Sequence, residues 1–154
     1  MFSEQINKKA DEIIARYPVK RSAILPLLHL VQNEENQISK DGMRFVAKKL
    51  GVEMNDVYEV LTFYTMYFTE PIGKYHIQVC RTISCYLCGA EDITAHLVKR
   101  LGIKPGQRTE DGRFRLSEVE CLGSCCTAPM FQINFDYHEN LTPEKIDQIL
   151  DSLP

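Results

Sequence analysis

The chain has 154 residues, 44% of them hydrophobic and 25% charged, which is the composition of an ordinary soluble globular protein and excludes disordered and fibrous architectures. A formal charge of −3 leaves no basic excess to neutralise phosphates, so we expect no nucleic-acid partner. The first residues lack a signal-like apolar core, and the longest apolar run, 23–31, is too short to span a bilayer. We therefore expect a cytoplasmic chain without direct membrane insertion.

The first seventy residues predict a small helical bundle. Apolar residues recur there at helical spacing, and four short helices are expected to begin near Ser3, Ser22, Ser39 and Asn55. Pro18 ends the first helical pattern, and Gly51 suits a left-handed cap at the end of the third helix. The aromatic-rich run 63–68 closes this half, and we expect most of it to lie in the core or at the seam between the halves.

The second half changes to a mixed pattern. Residues 75–80 alternate as a strand, 90–101 return to helical spacing, and three further strands are expected at 114–116, 130–134 and 137–139. Thr142 and Pro143 then open a last helix. This order predicts an α+β or α/β chain, in which a helical bundle (1–70) precedes a thioredoxin-like domain (71–154) whose four-stranded sheet carries two packed helices.

Six cysteines are the unusual feature, because clustered cysteines in a reducing compartment more often bind a metal or do redox chemistry than form disulfides. All of them lie in the second half: Cys80, Cys85, Cys88, Cys121, Cys125 and Cys126. Four residues separate Cys80 from Cys85, and three separate Cys121 from Cys125. Each pair falls at or after a predicted strand end, so a fold that joins the two loops could place four thiolates around one centre.

Thiolates are the soft ligands that iron–sulfur clusters and zinc select. The small or polar residues of the two loops can turn backbone N–H groups towards sulfur, and we expect four of them to surround the centre: Thr82, Ser84, Gly123 and Ser124. Such donors offset the negative charge of a cluster bound by four thiolates. No glycine-rich phosphate loop or dinucleotide fingerprint is present, so nucleotides are expected to bind elsewhere.

Three other uses of these cysteines stay open on spacing alone. Four thiolates also suit structural zinc, although paired C-x2-C knuckles are the more usual arrangement. Cys85 and Cys88 form a C-x-x-C motif of the thiol–disulfide type. Together with Cys80 they also match the plant-type ferredoxin spacing, C-x4-C-x2-C. If the two pairs, Cys80 with Cys85 and Cys121 with Cys125, bind one centre, Cys88 and Cys126 are not needed as ligands. We then expect both to be small buried hydrophobic residues.

Two segments carry a closer resemblance. Residues 80–89 (CRTISCYLCG) and 118–130 (EVECLGSCCTAPM) resemble the thioredoxin-like 2Fe–2S ferredoxin family, and within it the small iron–sulfur subunits of NADH:quinone oxidoreductase (respiratory complex I). Residues 63–67 and 101–106 are similar to that family as well, so the resemblance covers nearly the whole chain.

The resemblance implies a ligand set. By the family pattern the 2Fe–2S cluster is held by Cys80, Cys85, Cys121 and Cys125. The cysteines at 88 and 126 depart from that pattern, which does not require cysteine at either position. Arg81, beside the first ligand, is placed to stabilise the reduced cluster.

The resemblance also implies an electron carrier with no NADH or quinone site of its own, which is part of an enzyme only as a subunit. Its partner is a flavoprotein subunit that binds NADH, FMN and a 4Fe–4S cluster, and residues 1–70 are expected to dock it. Other peripheral-arm subunits complete a complex that is peripheral to the inner membrane. The alternatives are the equivalent subunit of an NAD-linked hydrogenase or formate dehydrogenase, and a zinc-stabilised interaction module without redox activity.

Overall fold

Two large hydrophobic cores form along the chain, in the residues 2–154 that the computed structural model describes. They belong to two separate units, one ending at Pro71 and the other beginning at Ile72. The longest α-helices have 12 residues. Within residues 2–154 every helix is too short or too polar to cross a lipid bilayer.

Four α-helices make up the first unit, and the expected small helical bundle is confirmed. They are α1 (Glu4–Ile14), α2 (Ile24–Glu35), α3 (Lys40–Leu50) and α4 (Met54–Phe63). A 3-10 turn, Lys20–Ala23, occupies the predicted start of the second helix, so α2 proper begins at Ile24.

Serine hydroxyls begin two of these helices. Ser3 Oγ accepts the N–H of Ile6 at 3.3 Å, and Ser39 Oγ accepts the N–H of Gly42 at 2.9 Å. Each bond satisfies a donor that the first helical turn leaves without a carbonyl partner. Gly51 ends α3 with a φ of +66°, the left-handed conformation that glycine adopts without a steric cost. These three predicted caps are confirmed.

The first helix is shorter than its apolar pattern predicts. It ends at Ile14, although the helical spacing of apolar residues continues to Tyr17. The N–H groups of Arg16 and Tyr17 instead bond carbonyls three residues back, each at 3.1 Å, which is 3-10 geometry. Pro18 gives the physical reason, because a residue that precedes proline is disfavoured in the α conformation.

Polar contacts tie the segment after α4 to α2. The Gln32 side chain donates to the carbonyl of Met66 at 2.9 Å and accepts the N–H of Phe68 at 2.8 Å. The Tyr67 hydroxyl donates to the carbonyl of Leu25, also at 2.9 Å. The core beneath this segment is mainly aliphatic and is built from Ala10, Ala23, Ile24, Leu27, Leu28, Val31, Ile38, Met43, Val46, Ala47, Leu50, Val57 and Leu61.

The aromatic-rich run is less buried than expected. Tyr67 is buried, but Phe63 is 77% exposed and Met66 is 43% exposed. Phe63 follows the buried Leu61 by two residues, which places it about 200° around the helix from the core-facing side. These two side chains therefore lie outside the core, and for them a place at the seam between the halves stays a prediction.

A four-stranded sheet organises the second unit, in the order β2, β1, β3, β4. The strands are β1 (Tyr75–Cys80), β2 (Phe114–Val119), β3 (Phe131–Ile133) and β4 (Asp136–His138). β1 is parallel to β2 and antiparallel to β3, which is antiparallel to β4. The helices are α5 (Ile83–Leu87), α6 (Ala90–Leu101) and α7 (Pro143–Ser152). The expected sheet with two packed helices is confirmed, and the short α5 was not predicted.

The core of this unit lies between one face of the sheet and the helices α6 and α7. Tyr75, Ile77 and Val79 alternate along β1 and so share that face. They pack with Ile93, Leu97, Ile103, Phe114, Leu116, Phe131, Ile133, Leu141, Ile146 and Leu150. Because α6 connects the parallel strands β1 and β2, the carboxyl ends of both strands come out at one edge of the sheet.

Candidate metal centre

The two cysteine-bearing loops leave the sheet at this common edge. Cys80 is the last residue of β1 and pairs with Val119, the last residue of β2. The Arg81 N–H donates to the carbonyl of Val119 at 3.0 Å, which extends the pairing by one step. Cys121 follows β2 by two residues. The topology thus brings together two cysteine pairs that 35 residues separate in the sequence.

The first loop folds back through α5. Thr82 precedes this helix in an extended conformation, and the helix turns Cys85 inwards. Cys80 is 3% exposed and Cys85 is 2% exposed, and both pack with Ala90 and Met130 in a small buried cluster. The thiols of Cys80 and Cys85 share a hydrogen bond. The first predicted pair is therefore assembled within the protein interior.

Hydrogen bonds from both loops act on Cys80. Burial raises the pKa of the Cys80 thiol, but the hydrogen bonds outweigh burial and leave the pKa below its ordinary value. They come from the backbone N–H groups of Thr82 and Leu122 and from the Cys85 thiol, and the nearby Thr82 hydroxyl adds a smaller effect in the same direction. Leu122 belongs to the second loop, so the Cys80 thiolate is stabilised across the centre. Hydrogen bonds to sulfur are one means by which proteins tune iron–sulfur centres.

The pKa of Cys85 is shifted in the opposite direction and is raised to about 11. Burial is the largest cause, followed by the hydrogen bond and the negative charge of Cys80; the N–H of Met130 opposes them, and the charge of Cys125 adds to them. The charge of Cys125, which lies in the second loop, therefore acts on a thiol of the first loop. Thiolates that repel one another are stable together beside a cation, which bound iron supplies.

The second loop lies at the surface. Gly123 has a φ of +80°, and the 3-10 turn Cys125–Thr127 packs against α5. Cys121 and Cys125 are both exposed. The electrostatic contacts between sulfurs join Cys80, Cys85 and Cys125, and Cys121 lies outside that set. The structure therefore brings Cys80 and Cys85 together, links Cys125 to Cys85 electrostatically, and leaves Cys121 outside these contacts.

The donor set fits a 2Fe–2S cluster. All the converging groups are thiols, and four thiolates are the usual protein ligands of such a cluster. The Thr82 hydroxyl is buried and has no hydrogen-bond partner among residues 2–154, although it approaches the Cys80 thiol closely enough to help lower its pKa. A sulfur of a bound cluster is the kind of acceptor that this hydroxyl lacks. In the same residues, no three His, Cys, Asp or Glu side chains lie close enough together to hold a metal ion.

The donors to sulfur differ in part from the residues chosen from the sequence. The backbone N–H of Thr82 reaches the Cys80 thiol, and the other N–H groups that reach a thiol belong to Leu122 and Met130. The carbonyl of Ser84 accepts the N–H of Cys88 at 3.2 Å within α5, and Ser124 is engaged through its hydroxyl. Every non-proline residue carries a backbone N–H, so side-chain type gives no signal for Leu122 or Met130.

The expectation that Cys88 and Cys126 are buried is wrong. Both are exposed, and all six cysteines are free thiols. Cys88 caps the end of α5, where the neighbouring Leu87 is also 76% exposed. Cys126 lies in the middle of the 3-10 turn of the surface loop. Their positions follow from the short elements that carry them, which turn Cys85 inwards and leave Cys88 outside.

Most of the chain matches a known protein family. A family model described as thioredoxin-like 2Fe–2S ferredoxin matches residues 10–154. The E subunit of the NADH-quinone oxidoreductase of Rickettsia conorii (strain ATCC VR-613 / Malish 7) is 49% identical over 155 residues, covering 99% of this chain and 93% of that protein. The corresponding E 2 subunit of Rhizobium meliloti (strain 1021) is 46% identical over 147 residues, covering 96% and 88%.

A solved structure shares the fold. It is a crystal structure of an NAD+-reducing NiFe-hydrogenase in the H2-reduced state, and one of its chains superposes with a TM-score of 0.73 at 22% identity. The match covers 83% of the present chain and 23% of the hydrogenase chain, so the present chain spans about a quarter of that protein's length. At this identity the likeness supports the architecture described above.

Proposed function

Because the chain belongs to the thioredoxin-like 2Fe–2S ferredoxin family, we propose that it is the small iron–sulfur subunit of an NADH:quinone oxidoreductase. In this role it carries one 2Fe–2S cluster and exchanges single electrons with FMN on a partner flavoprotein. The observation that carries the proposal is the parallel pairing of β1 and β2, since it brings the cysteine loops that follow the two strands to the same end of the sheet. Relatives of nearly equal length that are named as E subunits of NADH-quinone oxidoreductase support the assignment.

The chain's own residues have separate tasks in this function. Cys80, Cys85, Cys121 and Cys125 hold the irons, and the bound cluster supplies one-electron redox chemistry. The backbone N–H groups that point at Cys80 and Cys85 favour the negative charge of the centre. Burial of the first pair excludes water from one side of the site and strengthens these interactions.

The partner and its location complete the proposal. The flavoprotein binds NADH, FMN and a 4Fe–4S cluster, and the helical unit docks it. Exposed apolar side chains on and after α4 support this role, because such side chains are typical of protein interfaces: Met54, Tyr58, Phe63 and Met66. With the other subunits of the peripheral arm, the complex lies on the cytoplasmic side of the inner membrane.

The composition of the metal site tests the function directly. The full chain is purified without added metal, and its iron, zinc and acid-labile sulfide are measured together with the EPR spectrum after dithionite reduction. We expect iron and sulfide in equal amounts and the signal of a reduced 2Fe–2S cluster. A colourless protein that contains zinc and no sulfide contradicts the proposal.

Serine substitutions test the ligand assignment. Each cysteine is replaced in turn: Cys80, Cys85, Cys88, Cys121, Cys125 and Cys126. We expect loss or weakening of the cluster for the four proposed ligands and retention for Cys88→Ser and Cys126→Ser, which serve as matched controls because both thiols are exposed. A colourless Cys88→Ser variant beside an intact Cys121→Ser variant favours the plant-type ligand set instead.

A further inference from the structure

The hairpin formed by β3 and β4 contacts the second cysteine loop through two side chains. Tyr137 and Glu139 are two residues apart in extended chain and therefore project to the same side. The Tyr137 hydroxyl donates to the carbonyl of Leu122 at 2.6 Å. The Glu139 carboxylate accepts hydrogen bonds from the hydroxyls of Ser124 and Thr127, the second at 2.7 Å. The loop is thus held along most of its length.

Main-chain bonds fix the position of Glu139 itself. The N–H of Asn140 donates to the carbonyl of Thr127 at 2.8 Å, and the N–H of Leu141 donates to that of Pro129 at 3.0 Å. On the other side, the Lys145 ammonium on α7 donates to the Glu139 carbonyl at 2.5 Å. The carboxylate is therefore presented from a framework that includes the sheet and a helix.

One oxygen of Glu139 serves both hydroxyls. Ser124 Oγ and Thr127 Oγ1 also lie 2.7 Å from each other, so the three side chains form a ring of contacts that bridges the two ends of the turn from Ser124 to Thr127. That backbone contains Cys125. The hydrogen bonds from Ser124 and Thr127 hold the pKa of Glu139 below its ordinary value. At neutral pH the bonds that the carboxylate accepts are accordingly charge-assisted, and such bonds are stronger than neutral ones.

The backbone conformation of the loop around Cys125 is not set by regular secondary structure other than the short 3-10 turn. Gly123 is a flexible residue, and the loop lies at the surface with Cys121 and Cys125 exposed. A loop that must be ordered when it binds a ligand loses conformational entropy in doing so. A contact that orders the loop beforehand removes part of that cost and slows the loss of the ligand.

We propose that Glu139 is a positioning residue for the iron–sulfur centre: by closing the turn from Ser124 to Thr127, it fixes the Cys125 sulfur for binding iron. This inference rests on the function proposed above. Glu139 acts through the two hydroxyls and is not a ligand. Removal of the Glu139 side chain frees the turn. It therefore accelerates cluster loss and makes the surroundings of the iron nearest Cys125 less uniform.

The test compares two glutamate variants of the full, cluster-bearing chain. Glu139→Ala removes the anchor, whereas Glu110→Ala makes the same charge change in the exposed turn before β2, at the opposite end of that strand from the cysteine loops. Cluster release to an iron chelator is followed by absorbance, and the EPR spectrum and reduction potential are recorded. For Glu139→Ala we expect release faster on the order of tenfold and an altered EPR line shape. Glu110→Ala is expected to match the unsubstituted chain.

A second pair tests the other end of the contact and decides the matter if Glu139→Ala does not fold. Thr127→Val keeps the branched shape and removes the hydroxyl, while Thr127→Ser keeps the hydroxyl. We expect Thr127→Val to release the cluster as fast as Glu139→Ala, and Thr127→Ser to behave like the unsubstituted chain. Unchanged release and EPR spectra in both Glu139→Ala and Thr127→Val overturn the positioning role alone. An unsubstituted chain without iron and sulfide overturns the proposed function itself.

Discussion

Arg81 and Glu120 form an ion pair that bridges the two cysteine loops. Nε and Nη2 of Arg81 donate to the same carboxylate oxygen of Glu120, at 3.0 and 2.6 Å. Arg81 directly follows Cys80, and Glu120 directly precedes Cys121. Opposite charges therefore flank the proposed centre at matching points of the two loops. Both side chains are more than half exposed, so the pair contributes little to folding stability.

Neutralising Arg81 and neutralising Glu120 should shift the reduction potential of the cluster in opposite directions. Reduction adds a negative charge, which the Arg81 cation favours and the Glu120 anion disfavours. We expect Arg81→Gln to lower the potential and Glu120→Gln to raise it, each by an amount on the order of tens of millivolts at low salt. Potentiometric titration monitored by EPR measures both values.

The double variant and added salt serve as controls for this effect. Arg81→Gln combined with Glu120→Gln restores a near-neutral pair and should return the potential towards that of the unsubstituted chain. Raising the ionic strength should shrink both single shifts, because exposed charges are screened. Shifts of the same sign in the two single variants contradict an electrostatic role and indicate loop distortion instead.

Gly42 marks a close approach between α2 and α3. A Cβ added at this position lies 2.5 Å from Cγ1 of the fully buried Val31 and 3.2 Å from the Glu35 carboxylate. In an exposed helix interior, a glycine-to-alanine change stabilises by up to about 1 kcal/mol. Here overpacking reverses the sign, and we expect Gly42→Ala to lower the free energy of unfolding by roughly 1–2 kcal/mol. Urea denaturation measures the difference.

A double-variant cycle isolates the steric cause at Gly42. Val31→Ala alone creates a cavity and destabilises the core. Combined with Gly42→Ala, it makes room for the new methyl group, so the double variant should be more stable than the sum of the two single effects predicts. Additive effects, or a stabilising Gly42→Ala, show that α2 and α3 do not pack as closely as described.

The sequence predicts best those parts of the fold that depend on neighbours in the chain. Ser39 and Gly51 act within one helical turn of themselves, so their caps are legible from local spacing. The short α5, Ile83–Leu87, has too few residues to establish a helical period, so the sequence does not predict it. Its absence from the prediction also explains the error at Cys88, because only the helix decides which of its cysteines faces inwards.

The candidate centre follows the same rule. Cysteine spacing indicates which two cysteines of each loop act together as candidate ligands, but contacts between the loops depend on the sheet. Arg81 meets Glu120 across 39 positions because β1 and β2 are parallel and in register. Glu139 reaches Thr127 because the β3–β4 hairpin returns the chain to the second loop. No local pattern encodes either contact, so both became visible with the tertiary structure.

His76 should make the stability of the second unit depend on pH. It lies on β1, where Nε2 is 2.9 Å from the Ser117 hydroxyl. Burial, with a smaller effect of the Arg115 charge, lowers the pKa of His76 to about 4 from its ordinary 6.5. Between these pH values the unfolded chain binds a proton that the folded chain does not. Stability is therefore fully present above pH 6.5 and falls towards pH 4, by up to about 3 kcal/mol.

His76→Gln provides the comparison, because the amide can still bond Ser117 and does not titrate in this range. Free energies of unfolding of both proteins are measured between pH 7 and pH 4, and their difference isolates the contribution of His76. We expect a shallower pH dependence in the variant. Parallel curves for the two proteins contradict the assignment of a lowered pKa to His76.

Docking by the helical unit predicts a specific effect of Phe63. This side chain is 77% exposed at the end of α4, and Tyr58 on the same helix is 51% exposed. Because neither contributes to the core, serine at both positions should leave the free energy of unfolding nearly unchanged. Aromatic side chains often dominate interface energies, so we expect binding of the flavoprotein to weaken roughly tenfold or more.

Phe135→Ser is the matched control, since Phe135 is 80% exposed but belongs to the second unit. Titration of the purified flavoprotein with each variant measures the affinities, and normal binding by the Phe63→Ser, Tyr58→Ser chain contradicts docking through α4.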